Sequence, residues 1–252
     1  MFSTNSVTHK WIVATRMRSL QRSFLYFSVL LISAILSGCS QKFNDVNDTV
    51  NLALFGETDT KLTQDEIQNL PYASIYARVA DGPQAFMVLA LAEPKISLNK
   101  HQTPPAQAIR LKWMSSDNGM LVTENGRIVK TLNLPQGNLI DTSSSEPDPL
   151  TLGLHLSSTP TSWQRSIDWQ PDYHYGYTLR SEFARQKDAV ILSNDTPIEA
   201  LHFTETVTAS SLGIEYQNDF WLHPITGKVL KSRQKLAPSL PYVEITLLKP
   251  YS

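Results

Sequence analysis

Asn125-Gly126 stands between two alternating runs, Met120 to Glu124 and Arg127 to Leu132. The pair supplies the positive φ angles of a type I′ turn, so the spacing predicts a β-hairpin. The same period of two recurs along the chain and puts successive side chains on opposite faces of a strand. Ala73, Ile75, Ala77 and Val79 alternate with Ser74, Tyr76 and Arg78 before a turn at Asp81-Gly82-Pro83. Gln84 to Ala92 is apolar on both faces, as in a strand covered on both sides. Ile109, Leu111 and Trp113 alternate with Arg110 and Lys112, which gives one wet face.

Further strand signals follow at Arg165 to Gln170, at Tyr175 to Phe183 and at Ile198 to Thr208. Leu212 to Leu222 and Val229 to Leu236 flank a turn at Thr226-Gly227 and read as another hairpin. Tyr242 to Leu248 is a last strand, with Val243, Ile245 and Leu247 inward. Helix signals are few. Val46, Val50 and Leu54 share one helical face before Gly56. Thr63 and Glu66 have capping-box spacing, and Pro71 ends that turn. About ten or eleven strands with little helix make the chain mainly β and antiparallel. Gln136 to Leu150 is the longest loop-like stretch. It reads as a surface loop near 136–150 within one domain, because the strands on either side are too few for separate cores.

The N-terminus has another character. Residues 1–23 carry Lys10, Arg16, Arg18 and Arg22 and no acidic residue. Phe24 to Ser37 is then a 14-residue stretch without a charge. A membrane-spanning helix needs about 20 apolar residues, so this length fits the apolar region of a secretory signal better. The stretch runs into Leu36-Ser37-Gly38-Cys39, which resembles the bacterial lipobox. Small residues let the backbone enter the peptidase cleft, and the thiol after the cut takes the diacylglycerol. With the usual N-terminal fatty acid, several acyl chains anchor a protein stably where one does not. The competing readings are a signal peptide with an incidental cysteine and an uncleaved anchor helix.

The expected organisation is a lipoprotein signal at 1–38, a lipidated tether at 39–50 and a single antiparallel β domain at 51–252. Ser40 and Gln41 follow the cysteine. Inner-membrane retention usually needs an aspartate there, so the expected destination is the outer membrane. Without residues 1–38 the chain keeps 18 basic against 23 acidic residues, about −5. That balance argues against nucleic acid as a partner. Cys39 is the only cysteine, which excludes an intrachain disulfide and any cysteine-cluster metal site.

Three stretches carry a resemblance: Tyr72 to Leu89, Trp113 to Pro135 and Asp219 to Pro250. Asp168-Trp169-Gln170-Pro171 and Tyr175-Gly176 precede the last of them. In this order, after a lipobox, they resemble the YjbF-type family, the group 4 capsule lipoproteins of Gram-negative bacteria. The resemblance implies an outer-membrane lipoprotein with a role in making or exporting a capsular or extracellular polysaccharide. It brings no catalytic residues, and only Cys39 is carried over, as the lipid site. A helix followed by a long antiparallel sheet also looks like the fold of the lipoprotein carriers LolA and LolB, a curved, incomplete barrel around a helix. That likeness serves architecture alone.

Catalytic chemistry has little footing in the sequence. There is no Gly-x-Ser-x-Gly elbow and no phosphate-cradling glycine loop. His101, His155, His174, His202 and His223 are scattered, without the short spacing of a zinc site. No metal or cofactor is expected. Candidate ligand contacts are Trp169 and Tyr175, whose rings could stack on sugars, and Lys231 and Arg233, which could meet an acidic polysaccharide. The alternatives are core packing for the aromatics and a solvated, aggregation-resistant strand for the cations. The leading reading is a non-catalytic accessory of polysaccharide export that binds a glycan or an export-complex protein. The second is a periplasm-facing carrier of lipidated molecules, which requires an apolar cavity open to solvent. The third, a polysaccharide-modifying enzyme, requires convergent titratable groups in a cleft.

Overall fold

The computed structural model describes residues 58–94, 109–193 and 196–251, within one compact unit, Thr58–Ser252. The helix expected near 46–55, the signal segment and Cys39 lie outside the described residues.

The alternating runs become strands: β1 (Ser74–Val79), β2 (Gln84–Pro94), β3 (Ile109–Met114), β4 (Met120–Glu124) and β5 (Arg127–Leu132). After them come β6 (Asn138–Ser143), β7 (Ser162–Gln170), β8 (His174–Arg185) and β9 (Ala189–Ser193). The last four are β10 (Thr196–Ala209), β11 (Ile214–Leu222), β12 (Val229–Lys235) and β13 (Tyr242–Lys249). They form one antiparallel sheet in the order β5-β4-β3-β2-β1-β13-β12-β11-β10-β8-β7-β6, with β9 paired to β10. Asn125 and Gly126 have φ of 47° and 88°, so the β4–β5 turn is the one its residues predict.

The sheet curls until its two edge strands, β5 and β6, meet. Side chains bridge this seam where a backbone ladder would close a full barrel. Thr131 Oγ1 on β5 accepts the Leu139 N–H of β6 at 3.0 Å and bonds Asn138 Oδ1 at 3.2 Å. Apolar side chains fill most of the interior. Ile75, Trp113, Leu121, Ile167, Leu179 and Val243, from six different strands, belong to one buried apolar cluster. A second cluster includes Leu150, Trp163, Phe183 and Phe220.

α1 (Gln64–Asn69) begins with the expected capping box: Thr63 Oγ1 accepts the Glu66 N–H, and the Glu66 carboxylate accepts the Thr63 N–H at 2.7 Å. The stretch before it lies against the outer face of β1. Leu62 N–H bonds the Tyr76 hydroxyl at 2.6 Å, and Asp59 pairs with Arg78 at 2.6 Å. Tyr76 is buried as a result.

Two expectations need correction. The segment 136–150 is not one loop: it holds β6, and α2 (Pro149–Leu152) begins at its end. Asp148 caps α2 by accepting the Leu150 N–H at 2.9 Å. β2 is not covered along its length either. Its first half packs on β1, but beyond a bulge between Leu89 and Leu91 it runs on with β3, and Ala90 and Leu91 are exposed.

Candidate functional site

Strand register places several segments at one end of the barrel. They are the Asn125-Gly126 turn, the distal halves of β2 and β3, the loop around α2, the β9–β10 hairpin, the β11–β12 turn and the C-terminal residues. A cavity of about 370 Å³ opens here. That lies within the range of small-molecule pockets, about 300–1,000 Å³. Its walls include Ile75, Ile109, Leu111, Trp113, Leu247 and Val229. Gly126 lets the β4–β5 turn approach β12, since a Cβ there would fall 2.5 Å from Val229 Cβ. The polar lining includes Thr123, Asn125, Thr151, Thr226, Lys228 and Tyr251, and none of the described lining residues is acidic.

Next to Gly126 begins a network of buried charges. Arg127 Nη1 donates to Glu205 at 2.7 Å, and its other nitrogens fork onto Asp148 at 2.6 and 3.3 Å. Arg165 Nη1 donates to the other Glu205 oxygen at 3.0 Å and to Ser181 Oγ at 2.6 Å. Asn218 and Ser181 also donate to Glu205, at 2.8 and 2.6 Å. Trp163 packs against both guanidinium groups, at 5.0 Å from Arg127 and 4.9 Å from Arg165. Burial alone would raise the Glu205 carboxyl, but Arg127 and Arg165 outweigh it and hold it down at about 2. The carboxylate is therefore locked in its charged form. Burial pushes the nearby Tyr216 phenol up to about 12.

The four candidate contact residues do not converge. Trp169 is corrected to a core residue: it is 1% exposed, stacks on His174 at 4.3 Å, packs on Tyr177 at 4.7 Å and donates to Ser239 Oγ at 2.9 Å. It has no face left for a sugar. Tyr175 is more than half exposed and borders a shallow polar groove with Gln164, Arg180 and Thr208. Lys231 and Arg233 do share a face. Inward Ser232 and Gln234 flank Arg233 on β12, which leaves both cations on the outside. Lys231 Nζ sits 5.5 Å from the Trp221 ring, and Arg233 lies over Tyr242 at 3.6 Å.

Three of the described histidines have local partners. His174 stacks on Trp169, His202 bonds Asp219 at 2.8 Å, and His223 Nδ1 accepts backbone N–H groups from Ile225 and Thr226. Among the described residues no three His, Cys, Asp or Glu side chains gather as a metal site would require.

Comparison with known proteins agrees with this fold. The family model described as group 4 capsule polysaccharide lipoprotein GfcB, YjbF matches residues 47–248. The Escherichia coli lipoprotein GfcB is 33% identical over 221 residues, covering 87% of this chain and 96% of that protein. The Escherichia coli lipoprotein YjbF is 33% identical over 225 residues, covering 88% and 96%. The crystal structure of the hypothetical lipoprotein YmcC from Escherichia coli superimposes with a TM-score of 0.63 at 33% identity, over 81% of this chain and 96% of that one. With the ordered segments, the curled antiparallel sheet and these relatives in agreement, the chain belongs to the group 4 capsule polysaccharide lipoprotein family of GfcB and YjbF.

Proposed function

We propose that this protein is a non-catalytic accessory in the making or export of a capsular or extracellular polysaccharide. A lipid on Cys39 holds it at the outer membrane, and the β domain faces the periplasm. The family match over residues 47–248 carries this reading. Glu205, fixed by two arginines, is itself a poor proton carrier near neutral pH and serves the fold. Its partners are the lipid bilayer and either the glycan or an export protein.

The test is a clean deletion complemented with wild type and with Cys39→Ala, reading cell-bound and released polysaccharide. Deletion is expected to remove the polysaccharide, and Cys39→Ala is expected not to restore it. Unchanged polysaccharide in the deletion overturns the capsule role. Full restoration by Cys39→Ala overturns the need for an anchor. A second reading, a carrier of lipidated molecules, is favoured by one observation, the apolar cavity at the barrel's open end.

A further inference from the structure

The open end of the barrel is apolar outside the cavity as well as inside. Leu91 on β2, Leu156 after α2 and Ile225 in the β11–β12 turn are all exposed there, Ile225 at 83%. Val190 and Leu192, at 65% and 62%, are exposed on one face of β9, opposite buried Ile191. That strand extends the sheet beyond β8 and β11, because residues 196–200 of β10 pair with β9 alone. An exposed edge strand is normally guarded by charge, and apolar side chains in that position mark a contact surface. The apolar run of β2 fits the same account, since its distal half leaves the cover of β1 and ends at this rim.

We infer that this end of the barrel rests on a lipid leaflet and that the cavity takes an acyl chain of an anionic lipid. Three observations select that occupant over a protein. The exposed apolar side chains sit on segments at the end of the barrel where a cavity with mainly apolar walls opens. Lys228, in the β11–β12 turn, lines the cavity and none of its described lining residues is acidic, which suits a phosphate or carboxylate head group at the mouth. The sequence also sets a distance. Eighteen residues, 40–57, lie between Cys39 and Thr58. A lipid on that cysteine therefore keeps the body within roughly 65 Å of the bilayer even with the tether fully extended. The inference goes beyond the capsule role and rests on the proposed function only for the lipid on Cys39 that sets this distance.

The test uses the mature chain from residue 39 carrying Cys39→Ala, so that no attached lipid mediates binding. Co-sedimentation is measured with vesicles of phosphatidylcholine, with and without phosphatidylglycerol. Cavity occupancy is measured separately, by the fluorescence of cis-parinaric acid. The chain is expected to bind the phosphatidylglycerol vesicles and the fatty acid. Val190→Asp/Leu192→Asp/Ile225→Asp is expected to weaken vesicle binding at least about tenfold and to keep parinarate binding. Those positions are exposed, so melting should not change. Leu111→Trp fills the cavity and is expected to lose parinarate; Ile109→Trp, at the start of β3, replaces it if that variant fails to fold. No parinarate binding by the parent chain overturns the cavity assignment. Vesicle binding that is absent, or unchanged in the triple variant, overturns the docking surface. Dimerisation abolished by the triple variant overturns it too, because the patch would then belong to a second copy.

Discussion

Arg127 on β5 and Glu205 on β10 meet at 2.7 Å across the interior, although 78 residues separate them in sequence. β5 is an edge strand, so its only backbone ladder is to β4. The same arginine also forks onto Asp148, just beyond β6, the opposite edge. Arg127 therefore ties both sides of the seam to a fixed point inside the barrel. Thr131–Leu139 and Asn125–Thr151 bond across the seam at other levels.

Removing the carboxylate should be costly. Glu205→Gln leaves Arg127 and Arg165 facing a neutral amide in the interior, and breaking a buried pair in this way costs about 3–5 kcal/mol. Urea unfolding at neutral pH checks it. The pH dependence has a defined sign. The folded carboxyl sits near 2 against its ordinary 4.5. The unfolded chain therefore binds the proton first as pH falls. The contribution of Glu205 is complete above about 4.5 and disappears as pH falls from there toward 2. Wild type should lose stability across that window, and Glu205→Gln should show a flatter acid limb.

The seam itself predicts a smaller effect. Thr131 is fully buried, and its hydroxyl is what receives the Leu139 N–H. Thr131→Val keeps the shape and orphans that donor, at about 1–3 kcal/mol. Thr131→Ser keeps the oxygen and should cost less. Hydrogen exchange at the Leu139 amide should speed up in the valine variant alone.

Two glycines separate backbone strain from steric conflict. Gly137 has φ of +120°, and a Cβ there would lie 2.2 Å from the Gln170 carbonyl oxygen. Gly213 has φ of +63° with nothing within 4 Å of the same position. Gly213→Ala should cost only the left-handed backbone, about 1–2 kcal/mol. Gly137→Ala must also shift a backbone carbonyl, so its midpoint in urea should fall clearly further.

Strands with strict alternation were legible because one face had to be buried. β6 was not: of Asn138, Leu139, Ile140 and Asp141, only Leu139 is buried, so no apolar period announces it. β9 escaped for a related reason. Its apolar Val190 and Leu192 face solvent, and it pairs only with β10. The charge network has a trace in the strand parity. Arg165 sits between inward Trp163 and Ile167, Glu205 between Phe203 and Val207, and Asn218 between Tyr216 and Phe220. A polar residue in an inward register position is a sign of a buried network, since nothing else stabilises it there. Trp169 shows the reverse limit. Its neighbours Asp168 and Asp172 suggest a wet loop, but its own parity follows Trp163, Arg165 and Ile167 into the core.

Arg233 gives the test of the outer face as a contact for an acidic polysaccharide. Its guanidinium lies over Tyr242 at 3.6 Å, with Glu244 at 3.6 Å, and Lys235 flanks the same ring at 5.0 Å. Arg233→Glu reverses the charge at the centre of the stripe, gives up one cation–π contact, worth about 0.5–1 kcal/mol at an exposed site, and sets a carboxylate opposite Glu244 and Asp219, which adds a similar cost. The fold should survive that loss, with a melting point only slightly lowered. In the complemented deletion strain, Arg233→Glu is expected to lower surface polysaccharide and Arg233→Lys to restore it, because a point charge suffices for a flexible polyanion. If the lysine variant fails as well, the planar stack on Tyr242 matters rather than the charge. Full complementation by the glutamate variant would move the glycan contact away from this face, to the exposed groove beside Tyr175.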